Sequence, residues 1–222
     1  MPSRTRQVTA AREFPNLAHC RGIKYLVMKT NPKILVFAGS TRTGSLHRKL
    51  AALAADELRR AGVDVTLADL REYPMPLYDG DAEAAQGVPE NARRFKELVR
   101  SHDALVIASP EYNGSFSALV KNTIDWISRP AAGEPPLAVF RGKPAALLSA
   151  SPGPGAGKRG LRHLRELLEM IGMKVVPAQV AVARASEAFD EAGNLIRPED
   201  QEAVRSLVEE LVRLVREQAL AA

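Results

Sequence analysis

From Lys33 onward, short apolar runs alternate with segments of helical periodicity, and the alternation repeats five times. Ile34–Ala38, Ala104–Ser109 and Pro144–Ala150 are almost unbroken in apolar residues, the pattern of strands covered on both faces. Val63–Leu70 alternates apolar with polar residues and suits a strand nearer the sheet edge. Lys174–Val182 reads as a fifth strand interrupted by Pro177. Helices are predicted over Leu46–Ala61, Pro89–Ser101, Ser115–Ser128, Gly157–Gly172 and Pro198–Ala219, with loops over Arg71–Val88 and Pro130–Pro136. The first helix puts Leu46, Leu50, Leu53, Ala54 and Leu58 on one side, and Gly62 follows its end.

A parallel strand needs a crossover helix to return, so this alternation predicts an α/β fold with a parallel sheet covered on both faces. Five strands favour the order 2-1-3-4-5, a flavodoxin-like three-layer sandwich, over the six-stranded dinucleotide fold. In such a sheet a ligand lies beyond the carboxyl ends of the strands, near the switch point between the first and third.

The charge of +5 would suit a nucleic-acid partner if it were spread over the domain. It is not. Residues 1–30 hold Arg4, Arg6, Arg12, Arg21, Lys24 and Lys29 against Glu13 alone, leaving 25 basic and 25 acidic residues elsewhere. Residues 1–31 therefore read as a flexible basic leader, with Met28 as an alternative natural start, and 32–222 as a single domain. Cys20, the sole cysteine, excludes a disulfide framework and multi-cysteine metal clusters. No run of ~18 apolar residues is present, so no spanning helix is expected. The expectation is a cytoplasmic protein without nucleic-acid or membrane partners.

Three loops carry the chemistry. Gly39-Ser-Thr-Arg-Thr-Gly-Ser-Leu-His47 follows the first strand, directly ahead of a helix. Hydroxyls of Ser40, Thr41, Thr43 and Ser45, the Arg42 guanidinium and free helix N–H groups can all donate to a phosphate. A Walker loop needs lysine after its second glycine, where Gly44 is followed by Ser45, and the Gly-x-Gly-x-x-Gly spacing is absent. What remains is a cradle for a terminal monophosphate. A plain helix cap would account for one hydroxyl and one glycine, but hardly for four hydroxyls and an arginine.

Ser109-Pro-Glu-Tyr-Asn-Gly-Ser115 follows the third strand and would be an ordinary turn by itself. At the switch point it can present fixed backbone groups to the edge of a flat heteroaromatic ring. Ser149-Ala-Ser-Pro-Gly-Pro-Gly-Ala-Gly157 follows the fourth strand; its glycines permit close backbone approach, or simply mobility. His19, His47, His102 and His163 lack metal-ligand spacing, and no Gly-x-Ser-x-Gly elbow occurs, so no metal or catalytic side chain is assigned. Tyr73, Met75 and Tyr78 read as a satellite core under the long loop, and Trp126 as packing.

Three segments together resemble the NADPH-dependent FMN reductases, the flavodoxin-like group that includes bacterial quinone, chromate and azo-dye reductases. They are Gly39-Ser-Thr-Arg-Thr-Gly-Ser-Leu-His-Arg-Lys-Leu-Ala51, Pro110-Glu-Tyr-Asn-Gly-Ser-Phe-Ser-Ala-Leu-Val-Lys-Asn-Thr-Ile-Asp-Trp-Ile-Ser-Arg129 and Ser151-Pro-Gly-Pro-Gly-Ala-Gly-Lys-Arg159. The resemblance covers about residues 33–196, and the Pro-Glu-Tyr-Asn segment with its Lys-Asn-x-x-Asp-Trp continuation is its most specific part. It implies that Ser40, Arg42 and Ser45 hold the FMN phosphate, joined by His47 where the family usually has Asn. It implies that Pro110, Glu111, Tyr112 and Asn113 line the ring largely through backbone atoms, with Ser151 and Gly153 approaching from the third loop.

The same resemblance implies a two-step exchange at one flavin face. NADPH comes first, then a small-molecule electron acceptor such as a quinone or azo compound, with no side-chain acid or base. It further implies a homodimer or homotetramer with Asp125 and Trp126 near the subunit boundary. Two alternatives share the phosphate loop: a flavodoxin-type electron carrier without NADPH activity, and a supplier of reduced FMN to a partner monooxygenase. The neutral body and Arg42 count against the carrier, whose relatives are acidic with an arginine-free loop.

Overall fold

Residues of a single strand divide between two hydrophobic cores, and this is what orders the chain into three layers. In the first strand, Ile34 and Val36 join Leu50, Leu58, Val106 and Leu211 on one face, while Leu35 and Phe37 join Phe95, Ile107, Leu147 and Leu164 on the other. Side chains alternate faces along a strand, so an unbroken apolar run is required wherever both faces are covered. Each such aliphatic side chain, fully withdrawn from water, contributes roughly 1.5–3 kcal/mol before entropy is counted.

The computed structural model describes residues 31–221. The leader reading, with Cys20 and Met28, falls outside that range but for its last residue. In chain order the elements are β1 (Lys33–Ala38), α1 (Leu46–Arg60), β2 (Asp64–Ala68), α2 (Gly80–Gln86), α3 (Glu90–Arg100) and β3 (Ala104–Ala108). Then come β4 (Glu111–Tyr112), β5 (Ser115–Phe116), α4 (Ala118–Ile127), β6 (Pro144–Ala150), α5 (Lys158–Met170), β7 (Lys174–Val175), β8 (Val180–Val182) and α6 (Pro198–Ala221). The main sheet runs β2-β1-β3-β6, with β7 and β8 both paired to β6, and every pairing is parallel. Counting β7 and β8 as one interrupted strand, this is the expected order 2-1-3-4-5. Among the described residues no helix is long and apolar enough to cross a membrane.

One local detail agrees with the sequence reading and two differ from it. Pro177 divides the fifth strand, since proline has no N–H for the ladder. The carbonyls freed there are taken by Arg165, which donates to Val176 O at 2.6 Å and Pro177 O at 3.0 Å. Helix α4 starts at Ala118 instead of Ser115, because β4 and β5 form a hairpin around Asn113 (φ 53°) and Gly114 (φ 80°). Two consecutive left-handed residues are what a two-residue hairpin turn of the right twist demands. The 71–88 segment contains α2, capped by Asp79 and without a single buried residue, so it leaves no periodic signal to read.

The rest of that segment is pinned to the body as expected of a satellite core. Trp126, 1% exposed, donates from Nε1 to Pro76 O at 2.7 Å and meets the Tyr78 ring edge-on at 5.0 Å, while Tyr73 packs on Phe95. Asp125 is paired with Lys121 on the same helix.

On the same side of the sheet Glu134 is enclosed by the Lys96 ammonium, the Ala131 N–H and Arg100. Lys96 chiefly, then the Ala131 amide and Arg100, hold its carboxyl down to about 2 against the opposing effect of burial. An unfolded glutamate titrates near 4.5, so the stabilisation is complete above that pH and is lost as the pH falls toward about 2. Unfolding midpoints measured across this window should show the decline, and Glu134→Gln should flatten it.

Candidate functional site

The carboxyl ends of β1, β3 and β6 bring the three loops together, and glycines set how close they come. A Cβ on Gly39 would lie 2.3 Å from Val120 Cγ2 and 2.8 Å from Ser117 Oγ, so the exit of β1 rests directly on the start of α4. A Cβ on Gly157 would lie 2.0 Å from Ser149 Oγ, so the start of α5 is packed equally hard on the end of β6. The Glu111 carboxylate then joins the β3 loop to α5 by accepting the Gly160 N–H at 2.9 Å. This fills a vacancy, because Gly157, at the helix start, has no side chain to cap it.

The first loop is built to donate. Ser45 begins α1 as its N-cap and accepts the Arg48 N–H at 3.4 Å, while Ser40 accepts the Arg42 N–H at 3.4 Å. Each oxygen thus receives a local bond and keeps its own O–H for an outside acceptor. The N–H groups of Leu46 and His47, the first two of the helix, have no acceptor among the described residues, as helix geometry requires. Arg42 is exposed and enters no ion pair among the described residues, whereas Arg48 is held by Asp69 at 2.9 Å. Hydroxyls, free amides and one uncommitted guanidinium at a helix N-terminus fit a phosphate monoester.

The other predicted positions divide by burial. Pro110 is buried, its Cδ within 3.6 Å of a Gly39 Cβ, and Glu111 is half-buried in its capping role. Tyr112 (59% exposed) and Asn113 stand out on the hairpin, where they can cover a ring. Ser151 accepts the Gly153 N–H at 3.3 Å, shaping the third loop. His47 is buried and accepts the Ala150 N–H on Nε2 at 3.2 Å, with Ser149 Oγ at 3.5 Å. Burial lowers its pKa to about 4, so the ring is neutral at physiological pH. The structural tasks of Glu111, Ser149 and Gly157 escape sequence reading; the only local signal is a glycine directly before a helix. Among the described residues no group of three or more His, Cys, Asp or Glu could hold a metal ion.

Parallel five-stranded topology with a donor-rich loop at the switch point defines a mononucleotide-binding α/β protein of the flavodoxin-like class. The description of the NADPH-dependent FMN reductase family matches residues 32–187. The chain is 37% identical over 190 residues to an NAD(P)H-dependent FMN reductase of Pseudomonas aeruginosa, covering 85% of this chain and 98% of that one. It is 33% identical over 163 residues to a quinone reductase of Pseudomonas putida, covering 73% and 83% respectively. Among solved structures it is similar to the flavoenzyme NAD(P)H:acceptor oxidoreductase FerB of Paracoccus denitrificans, with a TM-score of 0.69, 25% identity and coverage of 84% and 98%. The chain belongs to the NADPH-dependent FMN reductase family and is an oxidoreductase that uses FMN and NAD(P)H.

Proposed function

We propose that this chain reduces quinones, azo compounds or similar small acceptors with electrons from NAD(P)H, through FMN held at the β1–β3 switch point. The observation that carries the site is the convergence of the three loops, one of which holds two serine hydroxyls, two helix amides and the Arg42 guanidinium, the amides and Arg42 having no partner among the described residues. Ser40, Arg42 and Ser45 would hold the phosphate, with His47 behind them. Pro110, Glu111, Tyr112 and Asn113 would border the ring on one side, and Ser151 and Gly153 on the other. FMN supplies the electron relay between nicotinamide and acceptor.

The protein's own part is positional. Backbone amides of the two ring loops present fixed dipoles at no reorganisation cost, which favours added negative charge beside them. Donor and acceptor would use the same space beside the ring in turn. Asp125 and Trp126 add nothing that the reaction requires; Trp126 is committed to Pro76 and Tyr78. A homodimer or homotetramer in the cytoplasm is the setting the family resemblance suggests.

The test is the visible spectrum of the purified protein reconstituted with FMN under anaerobic conditions. Flavin bands that bleach on adding NADPH and return with a quinone support the reading. Protein that binds FMN but is not reduced by NADPH would instead be an electron carrier, and failure to bind FMN removes the site altogether.

A further inference from the structure

In the sheet, Ala150 has a hydrogen-bond donor with no strand to receive it. Pairing of β3 with β6 runs from Leu105–Ala145 to Ala108–Leu148, and the Ser109 N–H reaches Leu148 O at 2.9 Å before Pro110 turns away. Residues two apart on a strand point the same way, so the Ala150 N–H faces the gap that β3 leaves. The His47 imidazole occupies this gap, 7% exposed, and accepts that N–H on Nε2 at 3.2 Å. An amide can only donate. Nε2 must therefore carry the lone pair, and the ring's hydrogen sits on Nδ1.

Against the Ser149 hydroxyl, which lies 3.5 Å from His47 Nε2, Gly157 packs so closely that a Cβ would fall 2.0 Å from that oxygen. One imidazole thus connects the second residue of α1 to the strand end from which the ring-side loop and α5 depart. We propose that His47 is a positioning residue, a neutral strut that holds the 151–157 loop in register with the phosphate loop, and that it acts on the flavin ring through Ala150. This deepens the flavin reading and rests on it.

Burial favours the neutral ring. The group facing it from β6 is the uncharged Ser149 hydroxyl, Arg48 and Lys49 beside it on α1 are engaged by Asp69 and by the Phe189 ring, and no carboxylate contacts it among the described residues. Protonation would set an N–H against the Ala150 N–H and break the strut.

Two measurements test the proposal. In flavin-free protein, an imidazole 1H–15N correlation spectrum should show the His47 Nδ1–H form from about pH 7 down to about pH 5, the signals being assigned by their loss in His47→Gln. Hydrogen on Nε2, or a ring charged near neutrality, overturns the strut. In the second measurement, riboflavin, which has no phosphate, is titrated into wild type, His47→Asn and His47→Gln. Glutamine reaches as far as Nε2 and offers Ala150 a carbonyl; asparagine falls short. Affinity for riboflavin should weaken about tenfold in His47→Asn and return to within about threefold in His47→Gln. A loss confined to FMN, or equal in both variants, overturns the proposal. FMN binding by the wild type tests the flavin reading separately, since the tautomer is read without flavin.

Discussion

Gly157→Ala is expected to lower the stability of the protein by about 3–4 kcal/mol. Two costs combine at this position. Its φ is +83°, a left-handed conformation that charges a residue with a Cβ roughly 1–2 kcal/mol. The Cβ would also lie 2.0 Å from Ser149 Oγ and 2.8 Å from Ser149 Cβ, neither of which is free to retreat at the buried end of β6. Forcing atoms into packed space adds about 1–3 kcal/mol.

Two other glycines separate these costs. Gly62 (φ +73°) has open space where a Cβ would go, so Gly62→Ala carries the backbone cost alone. Gly39 has no backbone strain but would meet Val120 Cγ2 at 2.3 Å, so Gly39→Ala carries the packing cost alone. Urea unfolding of the three variants should therefore place Gly157→Ala well below the other two. A loss under about 1 kcal/mol at Gly157 would mean that α5 can shift freely against β6, and the braced picture of the loops would be wrong.

Arg42→Ala is expected to weaken FMN binding about thirtyfold while leaving riboflavin binding and thermal stability almost unchanged. A charge-assisted hydrogen bond to a phosphate contributes about 1.5–3 kcal/mol, and thirtyfold corresponds to about 2 kcal/mol. Arg42 is exposed and has no carboxylate partner among the described residues, so its removal strands no buried charge. Arg48 cannot take over, since Asp69 holds it and Asp69 itself is fastened to Arg71. Arg42→Lys should recover part of the affinity, as a point charge without the planar fork. Fluorescence titration with FMN and riboflavin reads the ratio directly. Equal weakening of both ligands would move Arg42 away from the phosphate.

Local regularities made the fold legible. Ile34–Ala38 and Ala104–Ala108 had to be central strands, because only a doubly covered strand can bury every side chain in a continuous apolar run. Valines and leucines at helical spacing in α6 marked its buried stripe of Val204, Leu207, Val208, Leu211 and Val215. The donor-rich loop after Ala38 was equally readable, since hydroxyls, glycines and an arginine next to a helix start act locally. Helix α2 was not readable, because a helix that buries nothing has no apolar period. Nor could the β4–β5 hairpin be separated from the following helix: Phe116 and Ser117 suit either element, and only the Asn113–Gly114 turn geometry decides.

The residues by themselves settled the α/β class, the strand order and the position of a donor-rich loop ahead of the first helix, since each depends on periodicity or on neighbours in the chain. The braces among the loops were decided only in three dimensions. His47 reaches Ala150 across 103 positions, Glu111 caps a helix 49 positions away, and Gly157 is required by a serine on another element. Such contacts depend on where two strand ends arrive after their crossovers, and no local period records that distance.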